Sequence, residues 1–156
     1  MDWTLFLTYM AACGAAAATG AMIQPGAWYA SLNKPSWTPP DWVFPVTWTV
    51  LYFCMSYAAM RVALLPDTGQ ALAFWSVQIA LNTLWTPVFF GLKRMRAGLV
   101  VIALLWLSVA ATMLTFWSHD VIAGLLFAPY LLWCSIAGAL NYSVLTRNPG
   151  AGAQAG

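Results

Sequence analysis

The chain has 156 residues, of which 62% are hydrophobic and 6% charged, with a formal net charge of +2 and a mean hydropathy of +0.75. An ordinary soluble domain carries about 25% charged residues, so this balance excludes that class. The small positive excess comes without the basic stripe that nucleic-acid binding needs. What remains is an all-α, polytopic membrane protein, because about 20 apolar residues cross a bilayer core of about 30 Å.

In chain order, residues 1–147 divide into five expected transmembrane helices in a single bundle, over residues 3–23, 43–65, 70–92, 97–118 and 121–146. The first is rich in small residues, with Gly14 and Ala18, and Ala16 and Gly20, at four-residue spacing; this predicts close approach of a neighbouring helix. Asp2 stands where a secretory leader would carry Lys or Arg, so the span is expected to stay. A lid loop follows over residues 24–42. Its Pro35, Pro39 and Pro40 impose an extended, stiff path, and Pro45 is tolerable in the first turn of the next helix. Trp28, Trp37, Trp42 and Trp48 crowd this mouth.

Arg61 closes the second span and is expected to snorkel into the headgroups. The later connections are short: Pro66 to Gly69, the basic corner Lys93 to Arg96, and His119-Asp120. Pro87 and Pro129 are expected to kink the third and fifth spans. Residues 148–156 are expected to be a disordered tail. Lys34, Lys93, Arg94, Arg96 and Arg147 fall on the side of the lid and C-terminus, and Arg61 on the other. The positive-inside rule places lid and C-terminus in the cytoplasm and the N-terminus outside.

Asp2, Asp41, Asp67, Asp120 and His119 all lie at span ends or in loops. Ion-coupled pumps place such groups within the membrane, so that class is disfavoured. Cys13, Cys54 and Cys134 lack the spacing of a metal site; no metal is expected and no cofactor is required. The polar residues inside the spans say more, because each needs a partner or a cavity. Phe44, Trp48, Tyr52 and Ser56 form one helix face, Gln78, Asn82, Trp85 and Phe89 a second, and Tyr130, Trp133, Ala137 and Asn141 a third. Three such faces predict either helix packing by hydrogen bonds or an aromatic pocket beneath the lid. On the third span Gly69, Ala73, Ser76 and Ala80 make a small-residue seam on another face. It suits either an intramolecular contact or a second subunit, and a homodimer through this span is expected.

The segments WTPPDWVFPVTWTVLY, QIALNTLWTPVFFGLKR and PYLLWCSIAGALNYSVLTR resemble successive motifs of the translocator protein family, also called tryptophan-rich sensory proteins or peripheral benzodiazepine receptors. The resemblance implies a dimeric five-helix bundle that binds porphyrins, sterols and isoquinoline- or benzodiazepine-type drugs under the first loop. It implies ligand contacts from Tyr29, Pro39, Trp48, Tyr52, Asn82, Trp85, Trp133 and Ala137. It further points to a sterol pattern at Leu140, Tyr142 and Arg147. The expected function is a protoporphyrin-binding sensor or regulator, with a transporter or a light-dependent porphyrin-degrading enzyme as alternatives. The sequence offers no conventional catalytic constellation; Trp48 and Trp133 are the candidates for light-driven chemistry. Lys34 and the lid indoles are the expected partners of porphyrin propionates.

Overall fold

The computed structural model describes residues 1–151, and these are helical, with no strand among them. Helix α1 (Trp3–Met22) starts at Asp2, whose carboxylate accepts from the Leu5 amide at 3.0 Å; such caps satisfy first-turn donors that have no helical partner. A five-residue helix α2 (Ala27–Ser31) lies within the lid. Helix α3 (Val43–Ala63) then begins, with Pro45 third in the helix, where its missing N–H costs nothing. Helix α4 (Gly69–Thr86) follows a turn in which Asp67 takes a left-handed φ of 56°. Helix α5 runs Met95–His119, α6 Val121–Leu125 and α7 Ala128–Arg147.

The two internal prolines change more than the expected kinks. Pro87 ends α4, and residues Pro87–Gly91 widen into a π segment closed by the Leu92 amide on the Pro87 carbonyl at 2.8 Å. Without a Pro87 N–H the Thr83 carbonyl loses its helical donor, and Thr19 Oγ1 of α1 lies 3.5 Å from it. Pro129 stands in the first turn of α7, behind a break at Leu126 and Phe127. The expected continuous fifth span is therefore two helices.

Four segments are long and apolar enough to cross a membrane among the described residues: Trp3–Met22, Val43–Ala63, Met95–His119 and Val121–Arg147. Helix α4 is not one of them, so the expected count of five is not met by length and hydropathy. Gln70, Ser76, Gln78, Asn82 and Thr83 dilute its apolar character. Two of these turn inward, Gln78 being 0% and Asn82 6% exposed, which a helix packed between others tolerates where a lipid-bathed one would not; Gln70 and Ser76 stay on the outer surface.

The helices form a ring in which α1 packs on α3 and α4, α5 on α4, α6 and α7, and α6 closes against α3. The half remote from the lid is solid. There Met55, Ala59, Trp75, Val109, Phe116 and Phe127 are buried together, and Trp75 Nε1 donates to the Met55 carbonyl at 3.2 Å, giving a buried indole the partner it needs. Arg61, in the last turn of α3, has a partner within the protein. Its guanidinium pairs with Asp120, Nη2 to Oδ2 at 2.7 Å and Nε to Oδ2 at 2.8 Å, while Asp120 Oδ1 accepts from the amides of Ile122 and Ala123.

At the opposite end Leu32, Phe89, Met95, Leu140 and Val144 form a second apolar cluster that seats the lid. Asn148, assigned from sequence to the tail, hydrogen-bonds to Asn33 in the lid, and residues 149–151 form a turn. The rest of the expected tail, 152–156, lies outside the described residues.

Candidate functional site

The half of the bundle nearest the lid is hollow. A cavity of about 690 Å³ lies there, with walls from α1, α3, α4, α5, α7 and the lid; ligand pockets commonly hold about 300–1,000 Å³. Its aromatic side comes from Phe44, Trp48 and Tyr52 on α3, Trp85 on α4, Phe90 in the π segment and Trp133 on α7. All but Phe90 belong to the three faces that helical spacing groups, and those faces enter the lining only in part: Ser56, Gln78, Phe89, Tyr130 and Asn141 lie outside it. Trp48 stacks on Tyr52 with centroids 5.5 Å apart and 27° between planes, and meets Tyr130 edge-on at 5.8 Å. Trp133 meets Phe44 edge-on at 5.5 Å, and Trp85 stacks on Phe89 at 5.1 Å.

A polar strap crosses the base of this cavity. The Tyr52 hydroxyl donates to Asn82 Oδ1 at 3.2 Å, and Asn82 Nδ2 bonds the Tyr130 hydroxyl at 2.8 Å. Helices α3, α4 and α7 are thereby tied at one level, and the aromatic rings above it are held in place. The other buried amides serve elsewhere. Gln78 sits in the solid half with Nε2 3.8 Å from Met55 Sδ, and Asn141 Nδ2 donates to the Met95 carbonyl at 3.0 Å, joining α7 to α5.

The side facing α3 is made by α1 and is almost bare. Ala16, Ala17, Gly20 and Ala21 line it, and a Cβ added at Gly14 or Gly20 would meet nothing within 4 Å. The small residues of α1 were expected to let another helix approach closely. At these two glycines no helix does, and at Gly20 the space belongs to the cavity. A periodic pattern of small residues is the same for both uses, so the sequence could not separate them.

Of the sequence-nominated ligand residues, Tyr29, Trp48, Tyr52, Asn82, Trp85, Trp133 and Ala137 line the cavity; Pro39 does not. Trp37 and Trp42 point outward, 50% and 67% exposed, so they offer the cavity no indole donors. The sterol pattern does not form one surface. Leu140 is buried and lines a recess of about 20 Å³ beside Ala137, Tyr142 is 59% exposed, and Arg147 reaches back to Ser143 Oγ at 3.2 Å.

Lys34 also has another role. Its ammonium donates to the carbonyls of Tyr29, Leu32 and Ala30 at 2.8, 3.3 and 3.4 Å and lies 4.7 Å from the Tyr29 ring centroid. It caps the C-terminal end of α2, where carbonyls lack the full set of helical donors; the Tyr29 carbonyl also accepts from the Leu32 amide at 3.2 Å. Sequence reasoning missed Asp41, which lines the cavity mouth; a carboxylate embedded in an aromatic and proline-rich lid was the available signal. No three His, Cys, Asp or Glu side chains gather as a metal site would require among the described residues.

A sequence model described as the TspO/MBR family matches residues 4–147. The chain belongs to the TspO/MBR family. It is 60% identical over 148 residues to the tryptophan-rich sensory protein of Cereibacter sphaeroides, covering 95% of this chain and 94% of that one. Protein CrtK of Rhodobacter capsulatus is 56% identical over 154 residues, with 96% of each chain covered. The translocator protein of Homo sapiens is 39% identical over 128 residues, covering 79% of this chain and 76% of its own. TspO/MBR membership agrees with the all-helical, membrane-spanning architecture, and the match takes in every helix that contributes to the cavity.

Proposed function

We propose that this TspO/MBR protein binds flat tetrapyrroles, above all protoporphyrin-like ligands, in the cavity beneath its lid and acts as a sensor or regulator of their level. In this reading α4 is a fifth membrane-crossing helix, shielded by its neighbours. The observation that carries the proposal is the pair of indoles, Trp48 and Trp133, on a cavity of about 690 Å³. A macrocycle gains dispersion and stacking of about 0.5–1.5 kcal/mol per aromatic pair beyond simple burial. Sterols and isoquinoline- or benzodiazepine-type ligands share the apolar, ring-shaped character that such walls accept.

A sensor is favoured over a transporter because the half beyond the Tyr52–Asn82–Tyr130 strap is filled by buried side chains. A route to the far face would have to pass Met55, Trp75 and Phe116. The enzyme alternative is light-driven porphyrin breakdown, with Trp48 and Trp133 as electron donors; the Trp48–Tyr52 stack supports it by placing a second oxidisable ring beside the first. The exposed seam on α4, Gly69, Ala73, Ser76 and Ala80, supports a homodimer through that helix. Lys34, Lys93, Arg94, Arg96 and Arg147 gather at the lid end, which supports a cytoplasmic lid and C-terminus.

The test is titration of purified protein with protoporphyrin in the dark, followed by illumination. Saturable quenching of tryptophan fluorescence that weakens in the Trp48→Phe, Trp133→Phe double variant is the expected result. Unaltered binding in that variant would refute the site. A new pigment product on illumination would identify the enzyme, and flux into sealed vesicles the transporter.

A further inference from the structure

The cavity that would hold a porphyrin carries the wrong charge for a porphyrin's carboxylates. Among its lining residues there is no Lys, Arg or His, and Asp41 is the one acid. Lys34, the basic residue nearest in sequence, is committed to the carbonyl end of α2 and the face of Tyr29. Lys93, Arg94 and Arg96 are exposed at the corner that opens α5, and none of them lines the cavity. The single ion pair among the described residues, Arg61 with Asp120, is at the other end of the bundle. Asp41 therefore presents an unpaired carboxylate to whatever enters beneath the lid.

We infer that Asp41 is a charge selector at the cavity mouth, which disfavours carboxylates at the lid end of the ligand and favours neutral or cationic substituents there. The inference deepens the tetrapyrrole reading and rests on it for that ligand class. Tyr29, on the same wall, reports the local field. Burial raises its phenol above the usual range, and the Asp41 charge raises it further; a second anion at that place is opposed in the same way. A like charge about 6 Å away, in surroundings between bulk water and protein surface, changes affinity about three- to tenfold. A free propionate would thus be turned away from Asp41, whereas an esterified or amidated one could lie against it.

Asp41 also stands just before the first turn of α3, where a negative charge complements the helix dipole. That structural role would move thermal stability and leave charge discrimination untouched. The experiment uses the full chain in detergent or nanodiscs and measures tryptophan quenching in the dark for the wild type, Asp41→Asn and Asp41→Lys. One probe pair is protoporphyrin IX and its dimethyl ester, which share a macrocycle and differ in charge. A second pair, independent of tetrapyrroles, is pyrenemethylamine and pyrenecarboxylate.

The expected result is an anion-to-neutral dissociation-constant ratio that falls about three- to tenfold in Asp41→Asn and further in Asp41→Lys, with the same ordering for the pyrene pair. Ratios unchanged in both pairs would overturn the assignment of Asp41, whatever happens to the melting temperature. Failure of both porphyrins to saturate the wild type, with the pyrene ratios shifting as expected, would remove the tetrapyrrole reading and leave the selector. Failure of all four probes to saturate would remove both.

Discussion

Asn148 holds both backbone groups of Asn33: its Oδ1 accepts from the Asn33 amide at 2.8 Å, and its Nδ2 donates to the Asn33 carbonyl at 2.9 Å. The same Nδ2 also donates to the Val144 carbonyl at 2.8 Å, so the latch is anchored in the last turn of α7. The lid is closed by a residue 115 positions away in sequence. Replacing Asn148 with Ala removes these bonds, each worth about 0.5–1.5 kcal/mol. Porphyrin release, followed by recovery of tryptophan fluorescence after dilution, should quicken by about fivefold or more with little change in helix content. An unaltered release rate would show that the lid does not govern escape.

Ala137 lines both the main cavity and the small recess next to it. Ala137→Thr adds a methyl and a hydroxyl at this constriction, and overpacking of this kind costs about 1–3 kcal/mol. Affinities for porphyrin and sterol should fall together in equilibrium titrations. Affinities equal to the wild type would place the ligand away from this wall.

Glycines 20 and 124 should respond to alanine in opposite directions. A Cβ at Gly124 would lie 2.7 Å from both Cα and Cβ of Trp117, whereas one at Gly20 would meet nothing within 4 Å. Gly124→Ala must push α6 from α5 and should cost about 1–3 kcal/mol. Gly20→Ala, in the last turn of α1, should gain about 0.4–1 kcal/mol through reduced chain entropy. Melting temperatures in detergent decide the signs.

The Asp120 carboxyl is raised by desolvation, but hydrogen bonds from Arg61 and from the Ala123 and Ile122 amides, with the charge of Arg61, outweigh this and leave it below its ordinary 3.8. A carboxyl held lower in the folded state contributes stability above its unfolded value and loses it as pH falls through the folded one. Asp120→Asn keeps a cap and deletes the ion pair. It should melt lower at pH 7, by about 1 kcal/mol for a partly exposed pair, and the difference should close as pH falls below the ordinary 3.8 and through the lower folded-state value. A gap that persists in acid would assign the stability to something other than this charge.

Ser76 lies with Ala73 and Ala80 on an exposed face of α4. In native membranes Ser76→Cys should form an intersubunit disulfide on mild oxidation. Crosslinking confined to cysteines on α5 would move the interface to that helix.

Much of the cavity was legible because aromatic and amide side chains in lipid are constrained to few places. The spacing of Trp48 and Tyr52, of Asn82 and Trp85, and of Trp133 and Ala137 fixes a common face on each helix, and burial requires those faces to meet. The hidden parts depend on contacts between distant residues or on breaks in periodicity. Nothing local to Arg61 reveals Asp120, nor does anything near Lys34 show that its ammonium turns back onto α2. Ala27–Ser31 is too short for a helical period to register. Pro87 and Pro129 announce a disturbance, yet whether a proline yields a kink, a π segment or a full break depends on which neighbours catch the freed carbonyls.

The bare α1 wall makes the cavity unequal in how it can drift over evolutionary time. Exchanges among Gly, Ala and Ser at Ala17, Gly20 or Ala21 alter the lining by at most a hydroxymethyl group, and at Gly20 there is open space to receive it. Across the cavity, replacing Trp48 or Trp133 by an aliphatic residue removes a whole ring and a neighbour's aromatic contact, stacked for Tyr52 and edge-on for Phe44. Neutral variation should therefore accumulate on one side, and changes of ligand preference should trace to the other.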